Sequence, residues 1–447
     1  VGQAVLNPGA RGRLFSFLAS LVATSLVLTG VAFAVVVVID VVVLTARPPV
    51  AEPEVCLVGA QVLDPERRSI GRADVVLSGE RIVRVGPGAG AHCHGERVEL
   101  PGRTIMPGLI DTHVHGWGNP SPIGADADAA GDVEEDIGNE AVLALVLRAG
   151  VMATLDLAGN DQQRIAVRDR LRPSRDHAAL FVGAPIMARD PAAQPEAQRA
   201  QVRQKAARKP DFIKIIANGG VIAPLVEEAR RLGLPTVVHI GSWDDARRAV
   251  AAGATAITHF EDEVQVPEEL AAAWGEARIW SIPTLAVQCD LGEIAAVPAL
   301  LDDPLLAEVT GPSLRAAYRQ RASFTKKARD WVRWQTDGCV SNDFVSLRRL
   351  HARGVRFLAG SDTGNLGTFQ GFSLHRELEL AARAGLPPWE TLQSATTSAA
   401  AFLGIPWGIK VGAPANLIVL KASPLEDMRN TRKIDRVIHR GKRVALP

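Results

Sequence analysis

Between residues 105 and 411 the chain repeats one pattern eight times, and that repetition restricts the folds open to it more than any other feature. Apolar runs at 105–115, 151–158, 179–185, 212–217, 235–240, 256–260, 279–285 and 355–360 are separated by amphipathic, helix-patterned stretches. Such alternation predicts an α/β fold with a parallel sheet, and eight units are what a (β/α)8 TIM barrel needs. The runs are almost continuously apolar, as expected of strands covered on both faces. A long helix-patterned insertion at 300–351 lies between the seventh and eighth runs, on the face where barrel loops line a site.

Shorter alternating runs flank this segment, at 54–63, 73–85 and 97–104 before it and at 416–421 and 436–444 after it. With turns at Ser78-Gly79-Glu80 and Gly86-Pro87-Gly88 they read as antiparallel β structure. The expected organisation is a small composite β-sandwich domain from 46–104 and 412–447, enclosing a barrel at 105–411.

Residues 14–39 contain no charged side chain and follow Arg11 and Arg13. As a helix this stretch reaches about 39 Å, and a bilayer core needs only ~30 Å. An N-terminal membrane anchor or signal within 1–45 is therefore expected, with Arg11 and Arg13 on the cytoplasmic side. Ala32-Phe33-Ala34 resembles a signal-peptidase site, so the segment reads either as retained or as cleaved. Both outcomes make the rest membrane-anchored or secreted, in a periplasmic or extracellular, disulfide-permissive setting. Four cysteines, Cys56, Cys93, Cys289 and Cys339, leave three pairings open; a Cys56–Cys93 bridge in the small domain is the one expected here.

A net charge of +1, with 47% hydrophobic and 22% charged residues, is an ordinary globular balance and excludes a nucleic-acid-binding class. The basic stretches 164–175 and 199–209 read as solvated helix faces.

Chemistry concentrates at the C-terminal ends of the apolar runs. His113 and His115 close the first run in Pro107-Gly108-Leu109-Ile110-Asp111-Thr112-His113-Val114-His115. Residues i and i+2 of a strand point the same way, so both imidazoles can reach one ion. Lys214 lies inside the fourth run, His239 ends the fifth, His259 ends the sixth, and Asp362 follows the eighth. Imidazole and carboxylate are ligand types for zinc and related divalent metals. A lysine inside a strand is a local conflict: its ammonium needs a carboxylate such as Asp156 or Asp362, or must be neutralised. Arg189 and Asn218 follow the third and fourth runs, and His375 lies on the helix after the eighth; all three are candidate substrate contacts.

These motifs, together with Phe212-Ile213-Lys214-Ile215, Asn218-Gly219-Gly220, Thr258-His259-Phe260, Gly360-Ser361-Asp362-Thr363-Gly364 and Gly412-Ala413-Pro414-Ala415-Asn416-Leu417, resemble the amidohydrolase superfamily in its prolidase-like and imidazolonepropionase-like branch. The resemblance spans about residues 54–445. It implies two divalent metal ions, of which zinc is expected: His113, His115 and Asp362 on one, His239 and His259 on the other, and a carbamylated Lys214 bridging them with a hydroxide. It also implies that Asp362 moves the proton from that hydroxide to a departing amine. The implied activity is hydrolysis of an amide C–N bond in a small molecule, such as an N-acyl amino acid or an X-Pro-type dipeptide. A mononuclear deaminase or cyclic amidase of imidazolonepropionase type is the alternative, and an inactive membrane-tethered binding protein is an alternative of another class. A homo-oligomer is compatible with each.

The chain departs from its relatives in two places. Asn416 stands where many have Asp, and Ile240 and Gly241 follow His239 where several prolidase-like relatives place a tyrosine. The sole tyrosine, Tyr318, lies in the insertion. His92-Cys93-His94 mimics the His-x-His spacing but sits in a loop of the small domain, and Trp331 with Trp334 reads as helix packing.

Overall fold

The computed structural model describes residues 52–116, 118–124, 139–190, 192–261 and 263–446, so the expected anchor or signal within 1–45 lies outside the described residues. Everything below belongs to the unit Pro53–Pro447. Among the described residues no helix is long and apolar enough to cross a membrane.

The strands are β1 (Glu54–Asp64), β2 (Ser69–Ser78), β3 (Arg81–Gly86), β4 (Glu96–Glu99), β5 (Thr104–Pro107), β6 (Leu109–Val114), β7 (Val151–Asp156), β8 (Ala179–Ala188), β9 (Phe212–Ala217), β10 (Thr236–Ile240), β11 (Ala256–Thr258), β12 (Trp280–Ile282), β13 (Arg356–Phe357), β14 (Leu417–Leu420), β15 (Ile434–His439) and β16 (Lys442–Arg443). Strands β6 to β13 form one parallel sheet in chain order. Its two edges close on each other through the segment after β13. The Thr112 amide donates to the Ala359 carbonyl (3.0 Å), that of Asp362 to His113 (2.8 Å), and that of His115 to Thr363 (2.9 Å). The result is the eight-stranded α/β barrel expected from the repeat.

The other strands form a second sheet in the order β16-β15-β14-β5-β1-β2-β3, with β4 also paired to β1. Where a two-layered sandwich was expected, one hydrogen-bonded path runs through all of them but β4, which branches from β1. The reason is β1, which pairs in parallel with β4 through 55–58 and with β5 through 61–62, its register shifting between Leu57 and Ala60. A bulge there lets one strand serve two neighbours and bends the sheet around its own core. That core draws Leu57, Val75 and Ile105 from one end of the chain and Leu417 and Ile438 from the other.

One expected strand divides. The run 105–115 breaks at Gly108, so that β5 joins the small sheet and β6 starts the barrel. Pro107 lacks a ladder donor, and a Cβ at Gly108 would lie 2.2 Å from the Met152 sulfur. The small sheet is thereby fused to the barrel by a single peptide step.

The helices set strand orientation. In β9, Ile213 and Ile215 join Leu225 and Val226 of the helix Ala223–Arg231 in the helix-facing core. By strand alternation Lys214, between them, faces the barrel interior. The insertion folds as short helices at Pro304–Val309, Pro312–Arg319, Lys326–Gly338 and Phe344–Ala352, preceded by Leu285–Ala296. A Cys289–Cys339 disulfide ties Leu285–Ala296 to the end of Lys326–Gly338. The expected Cys56–Cys93 bridge is present in the small domain. Trp331 and Trp334 stack on each other, with ring planes 13° apart.

Candidate metal centre

All six ligand-type residues singled out in the sequence meet at the C-terminal mouth of the barrel. His113 is fully buried, and its Nε2 lies 3.3 Å from Asp362 Oδ1 and 3.3 Å from Lys214 Nζ. His115 Nε2 lies 2.6 Å from the same Asp362 oxygen. His259 Nδ1 is 3.9 Å from Asp362 Oδ2, and the His259 ring stands edge-on to that of His239 at 4.4 Å between centroids. One donor atom each from His113, His259 and Asp362 fall within 4.8 Å of one another.

Backbone strain supports this convergence. His259 and Asp362 have φ of +74° and +52°, left-handed values that non-glycine residues adopt rarely. Asp111 stabilises the turn at Asp362: its Oδ1 accepts from the His113 and Ser361 amides (3.2 and 3.0 Å), and its Oδ2 from the Ser361 hydroxyl (2.5 Å). One carboxylate thus fixes the backbone beside two of the six residues. Burial pushes the Asp111 carboxyl up to about 7.

Electrostatics leave the cluster in ligand form. Burial, reinforced by the Lys214 charge, holds His113 well below the usual imidazole value. Burial and the neighbouring His259 do the same to His239, and burial brings His259 down to about 3. Burial alone would raise Asp362, but the His113 and His115 rings outweigh it and keep the carboxyl far below its ordinary value. Burial lowers the Lys214 amine to about 7. Neutral imidazoles at His113, His239 and His259 beside an ionised Asp362 are the protonation states that a divalent cation requires. His113 Nε2 lies 3.3 Å from Asp362 Oδ1, and that buried oxygen has no hydrogen-bond partner among the described residues, an arrangement that fits a bound cation.

The rim residues divide. Arg189 and Asn218 immediately follow β8 and β9 and are exposed at the same end of the barrel as the cluster. Their loops touch: a Cβ on Gly220 would fall 2.0 Å from the Ala188 carbonyl oxygen and 2.9 Å from the Arg189 nitrogen. His375 corrects the expectation placed on it. It is fully buried, with Nε2 2.9 Å from the Ala149 carbonyl, which lies just before the N-terminal end of β7, on the side away from the site. Glu377, from the same helix Phe372–Ala384, is also buried and accepts from the Ala286 amide (2.7 Å).

Several residues around the cluster were not singled out in the sequence. Besides Asp111, they are Thr258, Thr284 and Asp245. Asp245 takes the Gly219 amide on Oδ1 (3.1 Å) and the Gly241 amide on Oδ2 (3.1 Å), joining the loops that follow Lys214 and His239. Only the Ser242-x-x-Asp245 spacing, a helix-capping pattern, pointed to it. The grouping Glu54, Cys56 and Cys93 offers no site, because both cysteines are in the disulfide and Glu54 pairs with Arg84 (2.8 Å).

A parallel barrel that gathers imidazoles, a lysine and a carboxylate at the C-terminal ends of its strands defines a metal-binding hydrolase. The sequence identifies which one: residues 104–444 match the amidohydrolase family, and the chain belongs to it. Over 109 residues it is 32% identical to an imidazolonepropionase of Micrococcus luteus, a stretch covering 24% of this chain and 25% of that protein. The chain thus spans about a quarter of the length of that curated relative. It also resembles the crystal structure of a Xaa-Pro dipeptidase with methionine bound in the active site, at a TM-score of 0.69 and 21% identity, covering 87% of this chain and 99% of that one. A prolidase complexed with N-methylphosphonate-L-proline superposes with a TM-score of 0.64 at 24% identity, over 88% and 100% of the two chains. At such identities the likeness to solved structures is one of fold.

Proposed function

We propose that this protein hydrolyses the amide C–N bond of a small substrate, an N-acyl amino acid or an X-Pro-type dipeptide, using two divalent ions, with zinc the metal suited to the nitrogen-rich donor set. The observation that carries the reading is the buried Lys214 amine, 3.3 Å from His113 Nε2 in the middle of the imidazole and carboxylate cluster. His113, His115 and Asp362 would hold one ion, His239 and His259 the other, with Lys214 between them. Ions bound there acidify water and polarise a carbonyl.

The chain's own groups supply the rest. With its pKa lowered to about 7, Lys214 presents a neutral amine near neutral pH. That neutral amine can add to CO2 and release a proton, leaving a carbamate anion. Asp362, kept ionised, accepts a proton from the attacking water and returns it to the departing nitrogen. Arg189 and Asn218 at the rim can orient a substrate carboxylate. The two disulfides support an oxidising, extracytoplasmic setting.

A one-metal cyclic amidase or deaminase is the second reading, favoured by the stretch shared with imidazolonepropionase. Metal analysis of protein produced with zinc and bicarbonate separates the two. The two-ion reading expects close to two ions per chain, falling to about one in Lys214→Ala with loss of amide hydrolysis. One ion in the wild type, unchanged in Lys214→Ala, would favour the second reading. No bound metal in a folded, zinc-supplied protein would refute both.

A further inference from the structure

We propose that Thr258 and Thr284 are positioning residues that set the tautomers of His113 and His259, so that each ring presents an unprotonated Nε2. Neither threonine was singled out in the sequence, and both are fully buried.

The hydrogen bonds fix the direction of each contact. Thr284 Oγ1 lies 2.6 Å from the Pro283 carbonyl oxygen, which can only accept, so the single hydroxyl proton points there. The same Oγ1 lies 2.8 Å from His259 Nδ1 and therefore faces the ring as an acceptor. The ring proton must sit on Nδ1, which leaves the lone pair on Nε2. At His113 the argument runs through the other nitrogen. In the metal-free protein Lys214 Nζ, which carries N–H donors as free amine or ammonium, lies 3.3 Å from Nε2; with Nε2 accepting, the ring proton resides on Nδ1, 2.7 Å from Thr258 Oγ1. Asp362 Oδ1, also 3.3 Å from that Nε2, meets no donor in hydrogen-bonding geometry among the described residues, so it does not draw the proton to Nε2.

The two hydroxyls are built into the barrel in sequence. Thr258 ends β11 and holds the ring of His113, while His259, the next residue, is held by Thr284 just beyond β12. Thr284 does this from φ +56°, a conformation a β-branched residue adopts only where its surroundings impose it. Free histidine favours the opposite tautomer, with its proton on Nε2, so the hydroxyls work against an intrinsic preference. Partners of this kind fix ring orientation in metal sites generally, and losing one weakens metal binding about 10- to 100-fold.

The purpose of the arrangement rests on the metal-hydrolase reading, but its test does not. Long-range proton–nitrogen correlation spectra of metal-free, 15N-histidine-labelled protein report the tautomer of each ring directly. Both His113 and His259 should carry their proton on Nδ1. Thr284→Val should release His259 alone, and Thr258→Val should release His113 alone. Each should weaken zinc binding about tenfold or more in a competition titration, and Thr284→Ser should restore both signatures. A wild-type ring protonated on Nε2 would overturn the proposal even if the valine variants failed to fold. So would a folded Thr284→Val with unchanged tautomer and zinc affinity. Tautomers as expected in a protein that cleaves no amide would overturn the functional reading and leave this one standing.

Discussion

Replacing Glu377 by Gln should make the protein more stable, by an amount that grows with pH. Glu377 is buried at the N-terminal end of the helix Leu285–Ala296, and burial lifts its pKa from 4.5 to about 8, against the hydrogen bonds from Ala286 and Leu285. Below pH 4.5 the carboxyl is protonated both folded and unfolded and contributes no pH dependence. Between pH 4.5 and 8 the unfolded chain loses this proton while the fold keeps it, so stability falls as pH rises. At about 1.4 kcal/mol per unit, the penalty reaches about 3 kcal/mol at pH 7 and about 5 kcal/mol above pH 8. Glutamine retains an acceptor for the Ala286 amide and has no proton to lose. Urea unfolding of wild type and Glu377→Gln from pH 4 to 9 gives the difference between them, in which titrating groups not coupled to Glu377 cancel. That difference should rise from pH 4.5 and level off near pH 8. A constant offset from the new amide would move the whole curve without changing its slope. A flat difference across this range would refute the assignment of Glu377 as a buried, protonated acid.

Asp245→Ala should cost about 2–3 kcal/mol, because two amides lose a charged acceptor at a site where water can partly replace it. Hydrogen exchange at the Gly219 and Gly241 amides should accelerate together, since one carboxylate holds both. Arg376→Met should be more severe. The Arg376 guanidinium is 1% exposed and pairs with Asp290 (3.1 Å), Glu379 (2.7 Å) and Glu293; Glu293 also meets Arg383 and Glu379 also meets Arg432, so loss of Arg376 leaves the buried Asp290 without its ion-pair partner. A loss of about 3–5 kcal/mol in urea unfolding is expected.

The barrel and its six convergent residues were legible because both follow from local rules. Apolar runs of strand length announce the strands, and in a parallel barrel all their C-terminal ends share one face, so a histidine at each end finds the others. What escaped depended on contacts between elements distant in the chain. Thr258 and Thr284 are unremarkable hydroxyls until β11 and β12 bring them to rings held by other strands. His375 was misjudged because helical periodicity states which residues share a face but not which neighbour that face meets. The division of 105–115 did leave a mark, the Pro107-Gly108 pair, inside a run that reads as one strand by hydrophobicity alone.

The small sheet also sets an order on folding. β5 hydrogen-bonds to β14, with Thr104 opposite Leu420 and Pro107 opposite Leu417, so an early strand must wait for a partner made near the end of translation. Throughout that interval β5 presents open amides and carbonyls directly beside β6, the strand that begins the barrel. An unpaired edge of this kind is a template for pairing with another chain. The hazard during synthesis therefore falls on β5, and a nascent chain stalled before β14 emerges would carry a completed barrel sequence with its supporting sheet half built.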